Sequence, residues 1–227
     1  MLEEEEKEKE NELEKKKCKL VFIGDSGVGK TSIIYRFIRG TFENNVDSTN
    51  GATFANKKIE YKEKNIILQF DIWDTAGQEK FHSLGKHFYK DSYIVCLVYD
   101  ITNQESLDAL QTIWYPDLLK YGEKNVVLAV VGNKCHLYEN DILANEEQAK
   151  KFAKDINAIF MLTSAKTGDG IDKLFDTLVD KFLSLDFKLK YKEMLEKKAG
   201  NIALKKENNN NSNNNNINRG RKKKKCF

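Results

Sequence analysis

A glycine-rich stretch directly after an apolar run is the feature that most constrains this chain. Leu20–Ile23 is followed by Gly24-Asp25-Ser26-Gly27-Val28-Gly29-Lys30-Thr31, and an apolar stripe at helical spacing comes next, formed by Ile33, Ile34, Phe37 and Ile38. The stretch fits the pattern G-x-x-x-x-G-K-[ST], and a strand before it with a helix after it is the context that the pattern requires. The sequence therefore predicts a strand, a phosphate-binding loop and a helix in that order.

The residue types explain this chemistry. Glycines allow a tight turn whose backbone N–H groups converge on phosphate oxygens at a helix N-terminus. Lys30 supplies a positive charge to the outer phosphates, and the Thr31 hydroxyl is placed to bind Mg²⁺. The candidate nucleotide-binding residues here are Asp25, Ser26, Gly27, Val28, Gly29, Lys30, Thr31 and Ser32. A plain connecting turn is the alternative, but a Lys at this point would serve it poorly. Kinases, ATPases and GTPases all share such a loop.

Further apolar patterns indicate an α/β fold. Leu20–Ile23, Tyr93–Tyr99 and Val126–Val131 are short uninterrupted runs, as expected of strands buried on both faces of a parallel sheet. Ala55–Glu63 and Ile66–Trp73 predict a hairpin. Two more helical stripes are formed by Leu107, Leu110, Ile113 and Trp114, and by Ile171, Leu174, Phe175, Leu178, Val179 and Phe182. Strands alternating with helices predict a sheet covered by helices on both faces.

Charge and composition divide the chain into four parts. Residues 1–17 hold eight Glu against five Lys and predict a charged arm, and residues 18–186 form the folded domain. Residues 187–206 are compatible with a helical extension, and residues 207–227 predict a disordered Asn-rich and polybasic tail. The charge of +3 leaves a nearly neutral body once the acidic arm and basic tail are removed. This balance argues against a nucleic-acid-binding core.

Composition excludes several classes of protein. With 40% hydrophobic residues the chain has enough apolar material for a core. Four cysteines lie far apart without metal-ligand spacing, which favours a reducing compartment over a disulfide framework. The Glu-rich start is unlike a signal peptide, and the longest apolar runs are under half the roughly 20 residues of a membrane-spanning helix. We expect a soluble, cytoplasmic monomer.

A second motif narrows the class. Asp74-Thr75-Ala76-Gly77-Gln78-Glu79 follows the predicted strand Ile66–Trp73. An Asp at a strand end can hold Mg²⁺ through water, a glycine N–H can approach a terminal phosphate, and a Gln can orient an attacking water. With this motif and Leu97–Thr102, the chain resembles the Rab branch of the Ras-like small GTPases over about residues 19–183. Phe81–Gly85 and Tyr89–Ser92 are most similar to the endosomal Rabs.

The resemblance implies a G domain with a six-stranded, mostly parallel sheet, and it assigns further roles. Thr49 corresponds to the threonine that binds Mg²⁺ and the γ-phosphate, and Phe42 to the aromatic residue that packs against guanine. Base recognition falls to Asn133, Lys134, His136, Ser164, Ala165 and Lys166. Phe54, Trp73 and Phe88 correspond to the aromatic triad that Rabs present to effectors. Ordinary core packing is the alternative for these three, and both can hold.

Two residues depart from the family. His136 stands where the family has an Asp whose carboxylate accepts two hydrogen bonds from the guanine edge. Neutral imidazole offers one acceptor and imidazolium none, so about 1.5–3 kcal/mol of binding free energy is lost. We expect weaker and faster-exchanging binding of guanine nucleotides, not its absence. Asn50 stands where Rabs usually carry an apolar residue, which indicates either altered partner choice or a tolerated exposed substitution.

The predicted activity is that of a GTP-dependent switch in membrane traffic. The resemblance implies bound GTP or GDP with Mg²⁺, slow hydrolysis with Gln78 as the catalytic residue, and partners comprising exchange factors, GTPase-activating proteins and effectors. A nucleotide-binding scaffold with poor turnover is the alternative raised by His136. A P-loop kinase or ATPase is disfavoured, because the motifs at Asp74–Gln78 and Asn133-Lys134 have no reason to occur together there.

The C-terminus predicts contact with a membrane surface. Arg219–Lys225 carries six positive charges and precedes Cys226, whereas Rabs usually carry lipids on two C-terminal cysteines. One lipid beside a basic patch can anchor a protein, since each basic residue near an anionic leaflet adds about 1 kcal/mol. The sequence thus favours a peripheral protein on the cytosolic face of endomembranes, with Cys226 as the lipidated residue. A solvated charge run and a nuclear-import-like patch are the alternatives.

Overall fold

One six-stranded sheet forms the centre of the molecule. The computed structural model describes residues 13–43, 49, 52–75, 88–137 and 143–186. The strand order is β2-β3-β1-β4-β5-β6. The strands are β1 (Glu14–Ile23), β2 (Ala52–Tyr61), β3 (Ile66–Thr75), β4 (Ile94–Asp100), β5 (Val127–Asn133) and β6 (Ile159–Leu162). All neighbours pair in parallel except the antiparallel β2–β3 hairpin. The predicted six-stranded, mostly parallel sheet is confirmed.

Helices connect the parallel strands. They are α1 (Lys30–Arg39), α2 (the α-helical segments Gln104–Ala109 and Tyr115–Tyr121 joined by a π-helical turn at Leu110–Trp114), α3 (Leu143–Asp155) and α4 (residues 171–186). Short 3₁₀ turns occupy Lys62–Lys64 and Cys135–Leu137. Asn103 begins α2 as an N-cap, because its side-chain oxygen accepts a hydrogen bond from the Ser106 N–H.

Alternating residues of β1 show that helices cover both faces of the sheet. Val21 and Ile23 pack in one cluster with Leu107 of α2 and Phe152 of α3. Because successive side chains of a strand point to opposite faces, Leu20 and Phe22 face the other side. There, Phe22 contacts Phe175 of α4 at a ring-centroid distance of 6.3 Å, and Phe37 of α1 stacks on Phe175 at 3.4 Å. The helices α1 and α4 thus cover one face, and α2 and α3 cover the other, as predicted.

The first strand corrects the predicted arm. β1 begins at Glu14, so that Glu14–Lys17 pair with Ile66–Gln69 of β3 instead of belonging to a charged arm. β4 joins β1 only from Leu20 onward. The charged start of β1 therefore lies against one neighbouring strand and exposes most of its side chains, which allows charged residues in a strand.

One smaller expectation also changes. Ile113 is 44% exposed and does not belong to the buried stripe of α2, which continues through Trp114 to Leu118. Ile113 lies in the π-helical turn at Leu110–Trp114, where the α-helical period of the stripe does not hold. One compact unit comprises Met1–Phe182, and the boundary of the folded domain at residue 186 stays a prediction.

The other unit, Leu183–Phe227, is described only for residues 183–186, which are helical. The predicted extension and tail lie outside the described residues. Within the part of the chain that the structure describes, no helix is long and apolar enough to cross a bilayer.

Phe175 provides a test of this packing. Phe175→Ala removes a ring that contacts Phe22, Phe37 and Phe70, so we expect the free energy of unfolding to fall by about 3–5 kcal/mol. Urea unfolding at fixed GDP concentration measures the change. Leu119→Ala is the control, because Leu119 is 67% exposed and should change stability by no more than about 0.5 kcal/mol. Equal effects of the two substitutions would contradict the packing described.

Candidate nucleotide-binding site

The candidate residues gather at the carboxyl ends of the parallel strands. Phe22 of β1 lies opposite Asp74 of β3, and Asp100 of β4 lies opposite Asn133 of β5. The glycine loop follows β1 directly, and Thr163 and Ser164 follow β6. In open α/β sheets this edge is where ligands bind. Residues far apart in sequence are therefore brought to one edge by the parallel pairing.

Gly24, Gly27 and Gly29 have the backbone conformations that a tight loop needs. All three have positive φ, at 138°, 78° and 94° respectively, a region that other residues rarely adopt. Space is limited as well: a Cβ on Gly24 would collide with the Val98 carbonyl oxygen, and one on Gly29 with the Asn133 side chain. The loop then enters α1 at Lys30, with Thr31 and Ser32 in its first turn.

Lys30 places a buried ammonium group inside this loop. Its side chain is 5% exposed, and Nζ donates hydrogen bonds to the carbonyl oxygens of Gly24 (2.7 Å) and Asp25 (2.8 Å). Burial lowers the Lys30 pKa to about 8, although the Asp74 and Asp25 charges oppose the shift. An anion such as a phosphate at this position would stabilise the ammonium group.

Three oxygen-bearing side chains meet beside Lys30. Thr31 Oγ1 donates a hydrogen bond of 2.5 Å to Asp74 Oδ2, and Thr49 Oγ1 lies 3.0 Å from Thr31 Oγ1 and 3.3 Å from Asp74 Oδ2. Burial raises the Asp74 pKa, while hydrogen bonds and the Lys30 charge act against the rise. Asp74 Oδ1 is buried without a hydrogen-bond partner among the described residues.

These observations fit a divalent cation. Carboxylate and hydroxyl oxygens are the ligands that Mg²⁺ prefers. A cation would also compensate the buried charge of Asp74 and its unpartnered oxygen. Thr31, Thr49 and Asp74, which the sequence predicts as metal-binding residues, thus lie together in the structure.

Asn133 connects the glycine loop to the predicted base-binding loops. Its Nδ2 donates to the Val28 carbonyl oxygen at 2.9 Å, and its Oδ1 accepts from the Ala165 N–H at 3.2 Å and the Thr163 hydroxyl at 3.3 Å. Asn133 is 2% exposed, so these bonds are shielded from water. A single buried amide therefore holds three segments of the site in register.

The other residues predicted to contact the base make separate contacts. Lys134 has a φ of 68°, and its Nζ pairs with Asp100 Oδ2 at 2.5 Å. His136 Nδ1 lies 2.8 Å from the Ser164 hydroxyl oxygen. Lys166 is exposed and contributes its carbonyl oxygen to a contact with α1. Phe42 is half-buried just after α1.

Two positioning residues were missed by the sequence reasoning. Arg36 on α1 donates to the carbonyl oxygens of Ala165 (2.7 Å) and Lys166 (2.5 Å), which fixes the base loop to the helix that follows the glycine loop. Trp114, in the π-helical turn of α2, donates from Nε1 to Asp25 Oδ1 at 2.7 Å. No local motif marks either residue, since the partners lie 129, 130 and 89 positions away.

The aromatic triad lies on β2, on β3 and at position 88. Phe54 and Trp73 are opposite one another in the hairpin, with ring centroids 5.3 Å apart, and Phe88 lies 5.8 Å from Trp73. Phe54 is 52% exposed. The three rings thus form one continuous, partly exposed aromatic surface. Four further predicted positions, Asn50, Gly77, Gln78 and Cys226, lie outside the described residues.

A doubly wound sheet with a glycine loop, a buried Lys and a hydroxyl–carboxylate cluster defines a P-loop nucleotide-binding protein.

The sequence model of the Ras family matches residues 19–184 of this chain. The chain is 39% identical to human Ras-related protein Rab-22A over 175 residues (77% of this chain and 88% of that protein). It is 40% identical to human Rab-31 over 171 residues (75% and 86%), and 41% identical to tobacco (Nicotiana tabacum) Rab5 over 157 residues (69% and 76%).

The chain belongs to the Ras family of small GTPases and, within it, is a Rab-like protein. The predicted resemblance is confirmed, and so is the class of activity: a GTP hydrolase that acts as a switch in vesicular traffic. Membership also implies binding of GTP, GDP and Mg²⁺, and partners of the exchange-factor, activating-protein and effector kinds.

Arg36 offers a test of the site's construction. Arg36→Lys keeps the charge but cannot make the same set of hydrogen bonds to the base loop, each worth about 1 kcal/mol. We expect GDP to dissociate about five- to tenfold faster, as measured by displacement of a fluorescent GDP analogue. Arg39→Lys is the matched control, since Arg39 is exposed on the same helix and pairs with Glu43. Equal off-rates for Arg36→Lys and the unmodified chain would reject the positioning role.

Proposed function

We propose that this chain is a Rab-type switch that holds GTP or GDP at the carboxyl edge of the sheet and works on the cytosolic face of endomembranes. The observation that carries the proposal is the convergence of Lys30, the Thr31–Thr49–Asp74 cluster and Asn133 at that edge. A nucleoside phosphate needs partners for its phosphate anion, its metal ion and its base. The buried lysine can pair with the phosphate, the hydroxyl–carboxylate cluster can hold the metal ion, and the loop hydrogen-bonded to Asn133 can contact the base.

In this proposal each segment has a distinct task. Backbone N–H groups of the loop at Asp25–Gly29 contact the phosphate oxygens, and Lys30 contributes its charge to the outer ones. Thr31 and Thr49 would hold Mg²⁺, with Asp74 acting through water, and the ion would supply charge neutralisation at the phosphates. Phe42 packs on the base, whose edge is read by the loops at Asn133–His136 and Ser164–Lys166.

Hydrolysis relies on orientation of a water molecule by the Gln78 side chain. The loop amides and Lys30 stabilise the negative charge that develops on the transferred phosphoryl group. No motif places an arginine to act from within the chain, so intrinsic turnover is expected on the scale of ~10⁻⁴–10⁻² s⁻¹. An activating protein would then supply the missing positive charge.

The switch couples the terminal phosphate to the surface. Thr49 and Gly77 contact the γ-phosphate while it is present and are released after hydrolysis. Thr49 Oγ1 lies 3.0 Å from Thr31 Oγ1. Asp74 directly follows Trp73, a member of the aromatic triad. Phe54, Trp73 and Phe88 form the effector surface, where exposed aromatic area favours protein contacts. Asn50 alters partner choice at this surface.

Membrane attachment is assigned to the C-terminal part. In this proposal residues 187–206 act as a spacer, and the basic run within residues 207–227 meets anionic lipids. A lipid on Cys226 together with this run gives the two signals that stable anchoring requires. The endosomal branch is proposed from the motif likeness at Phe81–Gly85 and from the similarity to Rab-22A, Rab-31 and Rab5.

One observation favours a second candidate function. His136 replaces the carboxylate that reads guanine, and its Nδ1 is already engaged by Ser164. The chain would then be a nucleotide-binding scaffold with weak guanine selectivity and poor turnover. Exchange and single-turnover hydrolysis assays separate the two candidates, because a scaffold would not respond to a GTPase-activating protein.

Lys30 tests the proposed phosphate site. Lys30→Ala removes a charge-assisted hydrogen bond worth about 1.5–3 kcal/mol, so we expect GDP affinity to fall by roughly 10–150-fold in equilibrium binding. Lys120→Ala is the control, because Lys120 is exposed on α2. Unchanged GDP affinity in Lys30→Ala would refute phosphate binding at this loop.

Gln78 tests the catalytic assignment. Gln78→Leu keeps the volume but removes the polar group that orients water, so we expect GDP affinity to stay the same while stimulated hydrolysis falls by at least about 100-fold. Phosphate release in the presence of an activating protein measures the effect. Gln148→Leu, at an exposed glutamine of α3, serves as the control. Normal stimulated turnover in Gln78→Leu would remove Gln78 from the mechanism.

A further inference from the structure

The contact between His136 and Ser164 engages one ring nitrogen of His136 inside the protein and leaves the other for a ligand. His136 Nδ1 and Ser164 Oγ are 2.8 Å apart, and Ser164 Oγ also accepts a hydrogen bond from the Thr167 N–H at 3.1 Å. Ser164 is 0% exposed, so its hydroxyl has no access to bulk water. Its single proton must therefore find an acceptor inside the protein.

For neutral imidazole, one placement of the protons gives each group in this contact a hydrogen-bond partner. The Thr167 N–H uses one lone pair of Ser164 Oγ, and among the described residues that contact this oxygen only His136 Nδ1 can accept the hydroxyl proton. If Nδ1 instead carried the imidazole proton, the Ser164 proton would be buried without an acceptor, at a cost of about 1–3 kcal/mol. Ser164 thus selects the tautomer in which Nε2 carries the hydrogen.

Protonation of the ring does not alter this outcome. In imidazolium both ring nitrogens carry hydrogens; Nδ1 then donates to the second lone pair of Ser164 Oγ, and the Ser164 proton loses the acceptor that the neutral ring provides, but Nε2 still carries a hydrogen. Nε2, at the other edge of the half-buried ring, is an N–H donor in both states. Where a carboxylate would present two acceptors, this chain presents a donor.

We propose that His136, oriented by Ser164, is a specificity-determining residue that favours purine nucleotides with an oxygen acceptor at C2, as in xanthine. This inference rests on the proposed function, which places the base edge at His136. Guanine turns its N1–H and 2-amino donors towards the pocket, so its amino group meets the Nε2–H. Replacing that amino group by a carbonyl oxygen converts the donor–donor contact into a hydrogen bond.

Adenine does not fit the same pocket equally well. The Ser164–Lys166 loop is proposed to contact an oxygen at C6, and adenine has an amino donor there. Xanthine keeps the C6 oxygen and adds one at C2. Hypoxanthine keeps the C6 oxygen and has only a hydrogen at C2, so it avoids the clash without gaining a bond. Compared with a pocket that carries a carboxylate at this position, we expect the affinity relative to guanine nucleotides to rise most for xanthine nucleotides and less for hypoxanthine nucleotides.

Competition binding on the full chain tests the inference. GDP, IDP, XDP and ADP displace a fluorescent GDP analogue from the unmodified chain and from His136→Asp, Ser164→Ala and Leu137→Asp. The ratio of the XDP to the GDP dissociation constant is expected to be at least about tenfold lower in the unmodified chain than in His136→Asp, as one gained hydrogen bond implies. Ser164→Ala frees Nδ1 to bind the proton, so we expect this ratio to rise severalfold.

Leu137→Asp adds the same carboxylate at the next, exposed position and is expected to keep the unmodified ratio. A ratio within threefold of that in His136→Asp, or tighter binding of ADP than of XDP, would overturn the specificity role. If Ser164→Ala does not fold, the comparison with His136→Asp still decides. Failure of every diphosphate to compete would instead reject nucleotide binding itself, so the two failures are distinguishable.

Discussion

The buried side-chain amide of Asn133 is the interaction on which the site depends. It donates to the Val28 carbonyl in the glycine loop and accepts from Ala165 and Thr163 beyond β6. Its position also explains why Gly29 has no room for a side chain. A buried amide with both ends satisfied is stable, whereas the loss of any partner leaves a costly unpaired group. The glycine loop and the loop after β6 are thereby held in fixed register.

The same edge of the sheet concentrates opposite buried charges. Lys30 and Asp74 are 5% and 3% exposed, and burial shifts both pKa values towards the neutral forms. Groups of this kind are poorly solvated without a ligand, and a phosphate and a cation each relieve one of them. In the proposed function the site therefore gains free energy when a metal-bound nucleotide enters it, which would be the basis of a switch that responds to one phosphate group.

In the proposed function, selectivity and output are set at the two ends of this arrangement. At the base end, Ser164 Oγ lies 2.8 Å from His136 Nδ1. At the other end, Thr49 contacts Thr31, while the adjoining hairpin carries Phe54 and Trp73. We therefore expect changes in the base loop to alter which nucleotide binds, and changes around the hairpin to alter which partner recognises the bound state.

The sequence by itself determined the fold class, the phosphate-binding loop and the family, because these depend on local spacing: an apolar run, glycines at fixed intervals, and a stripe repeating every three to four residues. Thr31 and Asp74 followed from the motifs as candidate metal-binding residues, and Thr49 followed from the resemblance. Only the tertiary structure decided the pairing of Glu14–Lys17 with β3, the Arg36 contacts to Ala165 and Lys166, the bond from Trp114 to Asp25, and the contact of His136 with Ser164. Each joins residues that are distant along the chain, and a pattern of neighbouring residues carries no information about such contacts until the sheet brings them together.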